Sequence, residues 1–262
     1  MKDKIYIYDD IGIGILDVYS QKDLENCYNS IPEDLKSQVL VASSTNNKMV
    51  NEEYRKYGEV PFATLRNWLI SQFRLKGYKY YFLLNSNQLI EDPKVFFNTI
   101  HLAETFGTWF IVGNGKNALE LEDEESGLTL NVSADLNTDF IFTFSGIVKN
   151  NGYFDERFFN TKNLDVLDYI IRLRTKGVYP PNHYNPTVGS GIKTAKTFLE
   201  KIKFKDIPDQ DRSVGLSYGY FMHQHKYIPT QNDPPAATQE ELLKSLETIQ
   251  KNICKKIKLA LV

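Results

Sequence analysis

Apolar residues in this chain gather in short runs closed by polar turn residues, a pattern of buried strands rather than of one-sided helices. The strongest run is Tyr80-Tyr81-Phe82-Leu83-Leu84. It stops at Asn85-Ser86-Asn87, resumes in Leu89-Ile90 and gives way to Glu91-Asp92-Pro93. The pattern predicts a strand of a parallel sheet, followed by a helix over 93–106 with Pro93 in its first turn. Ligands of open α/β sheets collect at the carboxyl ends of strands. Asn85, Ser86 and Asn87 are therefore the first candidate binding residues.

The same reading extends along the chain. Residues 4–8, KIYIY, predict a first strand ending in Asp9-Asp10, with Gly12-Ile13-Gly14 as a flexible turn. No third glycine or Lys-Ser/Thr pair follows at the spacing a phosphate loop needs. Ser20, with Asp23 three residues on, predicts a capped helix over 21–30. QVLVAS, residues 38–43, predicts a second strand running into Ser44-Thr45. Leu65, Trp68, Leu69 and Phe73 share one helix face, which Gly77 closes. A strand over 109–112, a Gly113-Asn114-Gly115 turn, a hairpin over 119–132 with an acidic tip and a strand from Phe140 complete the series.

Alternating strands and helices predict an α/β fold, a mostly parallel central sheet flanked by helices, over residues 1–180. Residues 181–262 predict an extension. It comprises an irregular loop over 180–191, a basic helix over 193–203 and a strand over 218–227. A closing helix capped by Thr238 follows. The strand would carry His223 and His225 on one face as a possible metal pair.

Composition narrows this picture. The 262 residues are 42% hydrophobic, enough for a sizeable core. With 31 basic and 33 acidic residues the net charge is -2, so nothing pulls the chain as a whole toward nucleic acid or an anionic membrane. Cys27 and Cys254 lie far apart and predict free thiols, not a disulfide framework or metal knuckle. Asn131-Val132-Ser133 matches a glycosylation sequon, but the N-terminus reads as a strand rather than a leader. No run approaches the length of a membrane helix. A soluble, cytoplasmic protein is expected.

Three segments carry a resemblance: the apolar strand ending in Asn85-Ser86-Asn87; Gly58, Ala63 and Arg66-Asn67 ahead of a helix; and the long string from Phe140 to Gly177. Within the last, Gly152, Phe154, Asp155, Glu156 and Phe158-Phe159 precede Asp165, Asp168, Arg172, Leu173 and Gly177. In this order they resemble nucleotide-sugar glycosyltransferases of the GT-A fold, family 2-like, over roughly residues 4–180. The resemblance implies transfer of a sugar from a nucleotide-diphosphate sugar, a uridine one by expectation, to an acceptor hydroxyl. It places Asp9, Ser44, Arg66, Asn85, Ser86 and Asn87 on the donor side.

Asn85 and Asn87 stand where the family has the two aspartates that hold a divalent metal and the diphosphate. Mn2+ or Mg2+, weakly bound or absent, is the implied cofactor, with Asn87, His223 and His225 as its candidate ligands. Val166 stands where the family has its general base. Asp165 is the nearest carboxylate, and Asp168, three residues on, shares its helix face.

Residues 225–252 also resemble the tails of T-even-type phage glycosyltransferases. That implies a hydroxymethylated DNA base as one acceptor beside a glycan, although the near-neutral charge speaks against duplex binding. The loss of the motif aspartates and of the base equally suits a second reading, an inactive module that binds a nucleotide, a glycan or a protein partner.

Overall fold

Ile11, Ile13 and Ile15 alternate with Gly12 and Gly14, and this period of two is strand β1, Ile11–Asp17. The computed structural model describes residues 8–17, 20–43, 61–113, 119–133, 136–158, 164–180, 185–188, 191–194, 220, 223–225, 244 and 246–248. Residues 4–7 of the expected first strand lie outside the described residues; Tyr8–Asp10 form a short 3-10 turn, and Gly12-Ile13-Gly14, expected as a flexible turn, belongs to a strand that begins at Ile11. The glycines serve packing rather than flexibility. A Cβ on Gly12 would lie 2.6 Å from the Tyr78 ring and 2.7 Å from that of Phe73, and one on Gly14 would lie 2.7 Å from Leu69 Cδ1. Phe73 and Leu69 belong to helix α2, Phe62–Leu75, which thus lies closer to β1 than any side chain would allow.

Helix α1, Gln21–Ser30, carries the expected capping box: Ser20 Oγ accepts from the Asp23 N–H, and Asp23 accepts from Ser20. Strand β2, Val39–Ser43, follows, and α2 leads into β3, Tyr80–Asn85, the expected central strand. Its successors are β4, Gln88–Ile90; α3, Val95–Phe106; and β5, Phe110–Gly113. The acidic-tipped hairpin is β6, Leu119–Asp123, with β7, Leu128–Ser133, and β8 spans Asn137–Phe144. Helices α4, Ser145–Asn151, and α5, Leu164–Thr175, precede β9, Asn185–Val188, and β10, Ile192–Thr194.

Eight strands form one sheet in the order β2-β1-β3-β8-β5-β9-β7-β6. The parallel pairings are β1 with β2, β1 with β3, and β5 with β9; the others are antiparallel. The fold is therefore mixed α/β, Rossmann-like in its β2-β1-β3 unit, with helices on the sheet. Strand β9 replaces part of the irregular loop expected over 180–191 and sits inside the sheet, so the core extends past residue 180. Lys193 and Thr194, expected to open a basic helix, pair instead with Leu89 and Gln88 in the small β10-β4 sheet.

Residues 220 and 223–225 are helical where a strand is expected. Among the described residues no helix is long and apolar enough to cross a membrane.

Aromatic rings fill the centre of the core. Phe82 meets Phe96 of α3 edge to face at 4.9 Å, and Phe154 and Tyr169 stack at 4.5 Å over the other face. Gly12→Ala is expected to lower the unfolding free energy by about 1–3 kcal/mol, because two rings must shift. Gly14→Ala should cost less, since the Leu69 methyl can swing aside. Urea denaturation of both variants measures the difference, and unchanged midpoints would show that α2 does not press on β1.

Candidate functional site

The site follows from how α2 lies on β1. Phe73 covers Gly12 and Leu69 covers Gly14, so each turn toward the helix N-terminus steps toward the carboxyl end of the strand. The next turn carries Arg66. Register places Leu16 beside Asn85, and Asn85 continues the face of Tyr81 and Leu83 that pairs with Gly12 and Gly14. Arg66 and Asn85 are thereby brought to the same end of the same sheet face.

Arg66 is fully buried, and its Nη1 donates to Oδ2 of Asp165 in the first turn of α5. The rings of Phe62 and Phe154 flank the guanidinium at 5.6 and 5.7 Å. Among the described residues, Arg66 Nε and Nη2 and Asp165 Oδ1 have no hydrogen-bond partner. Burial pushes the Asp165 carboxyl up, against the opposing pull of the Arg66 charge. The residue expected on the diphosphate and the residue expected as general base are thus each other's partner.

Asn67 fastens the next segment. Its Nδ2 donates to the Phe154 carbonyl at 2.9 Å and its Oδ1 accepts from the Phe154 N–H at 2.9 Å. Glu156 accepts from Asn67 Nδ2 at 2.8 Å and from Thr64 Oγ1 at 3.0 Å. Segments some ninety residues apart in sequence are joined here by both faces of one amide. Asn67 was not among the expected site residues, although it stands beside Arg66 in the same motif.

Asn85, Ser86 and Asn87 end β3 as expected, and all three are buried. Asn85 Nδ2 donates to Asp139 Oδ1 at 2.7 Å, while Asn85 Oδ1 and Ser86 Oγ have no partner among the described residues. Asn87 Oδ1 accepts from Gln88 Nε2 at 3.2 Å. Asp139 was missed because β8 runs antiparallel to β3, so its beginning, not its end, reaches this edge. The only signal was a carboxylate one residue ahead of the apolar run FIFTF. Asp17, which pairs with Ser43 at the carboxyl end of β1, is a further residue that was not expected, because Gly12-Ile13-Gly14 was expected as a turn.

Other expectations are corrected. Asp9 precedes β1 and so lies at the opposite end of the strand from Asn85. Its neighbour Asp10 accepts from Lys79 at 2.7 Å, at the start of β3. Ser44 lies outside the described residues. Asp168 is fully buried and accepts from Arg172 Nε at 2.9 Å, Gln224 Nε2 at 3.2 Å and the His225 ring at 2.8 Å. His223 is exposed. On a helix, residues two apart do not face each other, so His223 and His225 form no metal pair. Tyr220 donates to Asp155 at 3.1 Å beneath Arg157, which fastens a second point of the late segment to the loop after α4.

No family model matches the chain, and no curated protein matches it. Among solved structures, the crystal structure of A197 from STIV aligns at a TM-score of 0.32 and 15% identity over 53% of this chain. That alignment covers 66% of the other chain, just under two thirds of its length.

The Arg66–Asp165 pair sets a stability test. Arg66→Met or Asp165→Leu alone is expected to cost about 3–5 kcal/mol by stranding a buried charge. The double variant should cost far less than the sum of the two. Chemical denaturation of all four proteins closes the cycle, and strictly additive losses would mean that the pair is not coupled.

Proposed function

We propose that this chain is a glycosyltransferase that binds a nucleotide-diphosphate sugar, a uridine one, at the carboxyl ends of β1, β2 and β3 and transfers the sugar to an acceptor hydroxyl. One observation carries the reading. The segments that resemble the family's donor and acceptor motifs, Arg66-Asn67 and the stretch from Phe154 to Asp165, bond to each other at the end of a Rossmann-like unit. That is the end where nucleotides bind in such folds.

Chemistry assigns the roles. Among the described residues Arg66 has two nitrogens without a partner, Nε and Nη2, on one edge of its planar fork, which suits a diphosphate. Asp165 is held through Oδ2 and leaves Oδ1 to take the acceptor proton, and its raised pKa makes it the stronger base. Arg66 and Asp165 are both closed off from water, so turnover requires the α2–α5 contact to open over them. The resemblance implies a divalent cation, and the unpartnered Asn85 Oδ1 beside the Asp139 carboxylate fits one. When bound, a cation offsets the charge that develops on the leaving diphosphate. The acceptor follows from the resemblance alone, as a glycan or a hydroxymethylated DNA base.

A second reading has its own observation. Asp165 and Asp168 are both tied into buried ion pairs, as structural carboxylates are. An inactive nucleotide- or glycan-binding module would show the same.

Calorimetric titration with a panel of nucleotide sugars, with and without manganese, tests the donor site. Micromolar binding of one member, lost in Asn87→Ala and in Arg66→Lys, is the expected result. Release of free uridine diphosphate by the wild type, and its loss in Asp165→Asn, separates the enzyme from the binding module. A panel in which nothing binds would refute the donor site itself.

A further inference from the structure

We infer that Asp139 supplies the carboxylate of a divalent-cation site at the end of β3, with the Asn85 carbonyl oxygen as its second protein ligand. Asp139 lies on β8, outside every segment that carries the family resemblance as a motif. Its placement here comes from register: Leu83 pairs with Ile141 and Leu84 with Phe140, so Asp139 is the neighbour of Asn85 on the same face. The 2.7 Å bond between the two side chains joins them directly.

The amide orientation follows from charge. An ionised carboxylate only accepts, so Asn85 must turn its NH2 toward Asp139. Among the described residues its Oδ1 is then left in the interior without a donor, and the adjoining Ser86 Oγ is also buried without a partner. Buried acceptors are normally satisfied. Asn85 is 1% exposed and Asp139 8% exposed, so bulk solvent does not supply the missing partner. A carboxylate beside an uncommitted carbonyl oxygen is an all-oxygen donor set, which suits a hard cation such as Mg2+ or Mn2+. Such ions keep several waters and complete their shell from phosphate oxygens, so two protein ligands suffice. The inference rests on the donor-site reading for the diphosphate that the ion would meet.

Manganese titrated into the full chain without nucleotide, followed by calorimetry and by the electron paramagnetic resonance of free Mn2+, tests it. The wild type is expected to bind one Mn2+ at millimolar or lower concentration, and Asp139→Asn should weaken that binding on the order of tenfold or more. Circular dichroism establishes that Asp139→Asn is folded. Asn85→Asp gives an independent measurement, because it sets two carboxylates side by side. Its unfolding midpoint should be low without manganese and should rise with manganese by more than that of the wild type.

The site is overturned if the wild type binds no Mn2+, if Asp139→Asn binds it equally well, or if manganese fails to raise the Asn85→Asp midpoint. Uridine diphosphate is titrated in parallel. Nucleotide binding without manganese binding removes the cation site and leaves the donor reading. Manganese binding without nucleotide binding does the reverse.

Discussion

Arg66 carries a permanent charge into a place that water does not reach. A guanidinium cannot shed its proton to escape the cost, so a buried anion must come to it. Asp165 is that anion, ninety-nine residues away in sequence, and the pair fixes α5 against α2. The depth at which this happens is set by β1. Because Gly12 and Gly14 have no side chains, α2 presses on the strand, and its first turns carry Arg66 down to the sheet. Asn67, one residue on, then has no freedom except to clamp Phe154 and Glu156. The loop after α4, the start of α5 and the end of β3 are all placed by one helix against two glycines.

The late segment is joined to this frame by carboxylates as well. Asp168 and Asp155 take hydrogen bonds from Gln224, His225 and Tyr220, each reaching back more than fifty residues. Asp168 is fully buried with three donors around it, while against the burial of Asp155 the hydrogen bonds and charge of Arg157 hold its carboxyl below the usual value. Polar contacts close the far side of α5 together with a small apolar cluster of Phe158, Leu164, Leu167, Ile171 and Tyr220, in which the Phe158 and Tyr220 rings meet at 5.3 Å.

Much of the fold is legible in the sequence where local rules act alone. The run into Asn85 reads as β3 because both faces of that strand are buried. Ser20 and Asp23 read as a cap because the motif is complete within four residues. The hairpin reads because its alternation flanks a glycine turn. Legibility fails where a partner decides. Gly12-Ile13-Gly14 looks like a turn until Phe73 and Leu69 fill the space above it. Asn185-Pro186-Thr187-Val188 looks like a loop until β5 and β7 supply a slot on either side. Tyr220 and residues 223–225 are expected in a strand but are helical, and their side chains meet Asp155 and Asp168, carboxylates that no local rule brings there. Arg66 and Asp165 were both visible as chemistry. That they neutralise each other was not, since no spacing rule links positions so far apart.

The amide at position 85 suits its neighbour Asp139. Two carboxylates at the 2.7 Å separation seen between Asn85 and Asp139 cannot both be ionised, so one would be held protonated. An amide at position 85 removes that conflict. It donates to Asp139 and still offers a carbonyl oxygen. The carboxylate at this end of the sheet is thus supplied by β8 rather than by β3. Each buried polar atom without a partner costs about 1–3 kcal/mol, yet Arg66, Asp165, Asn85 and Ser86 all keep one or more at the strand ends. Asp23, Thr143, Asn151 and Tyr169 each hold one such atom outside this group; at the end of β3, Asn85 Oδ1 and Ser86 Oγ adjoin a carboxylate, which is what a cation site requires.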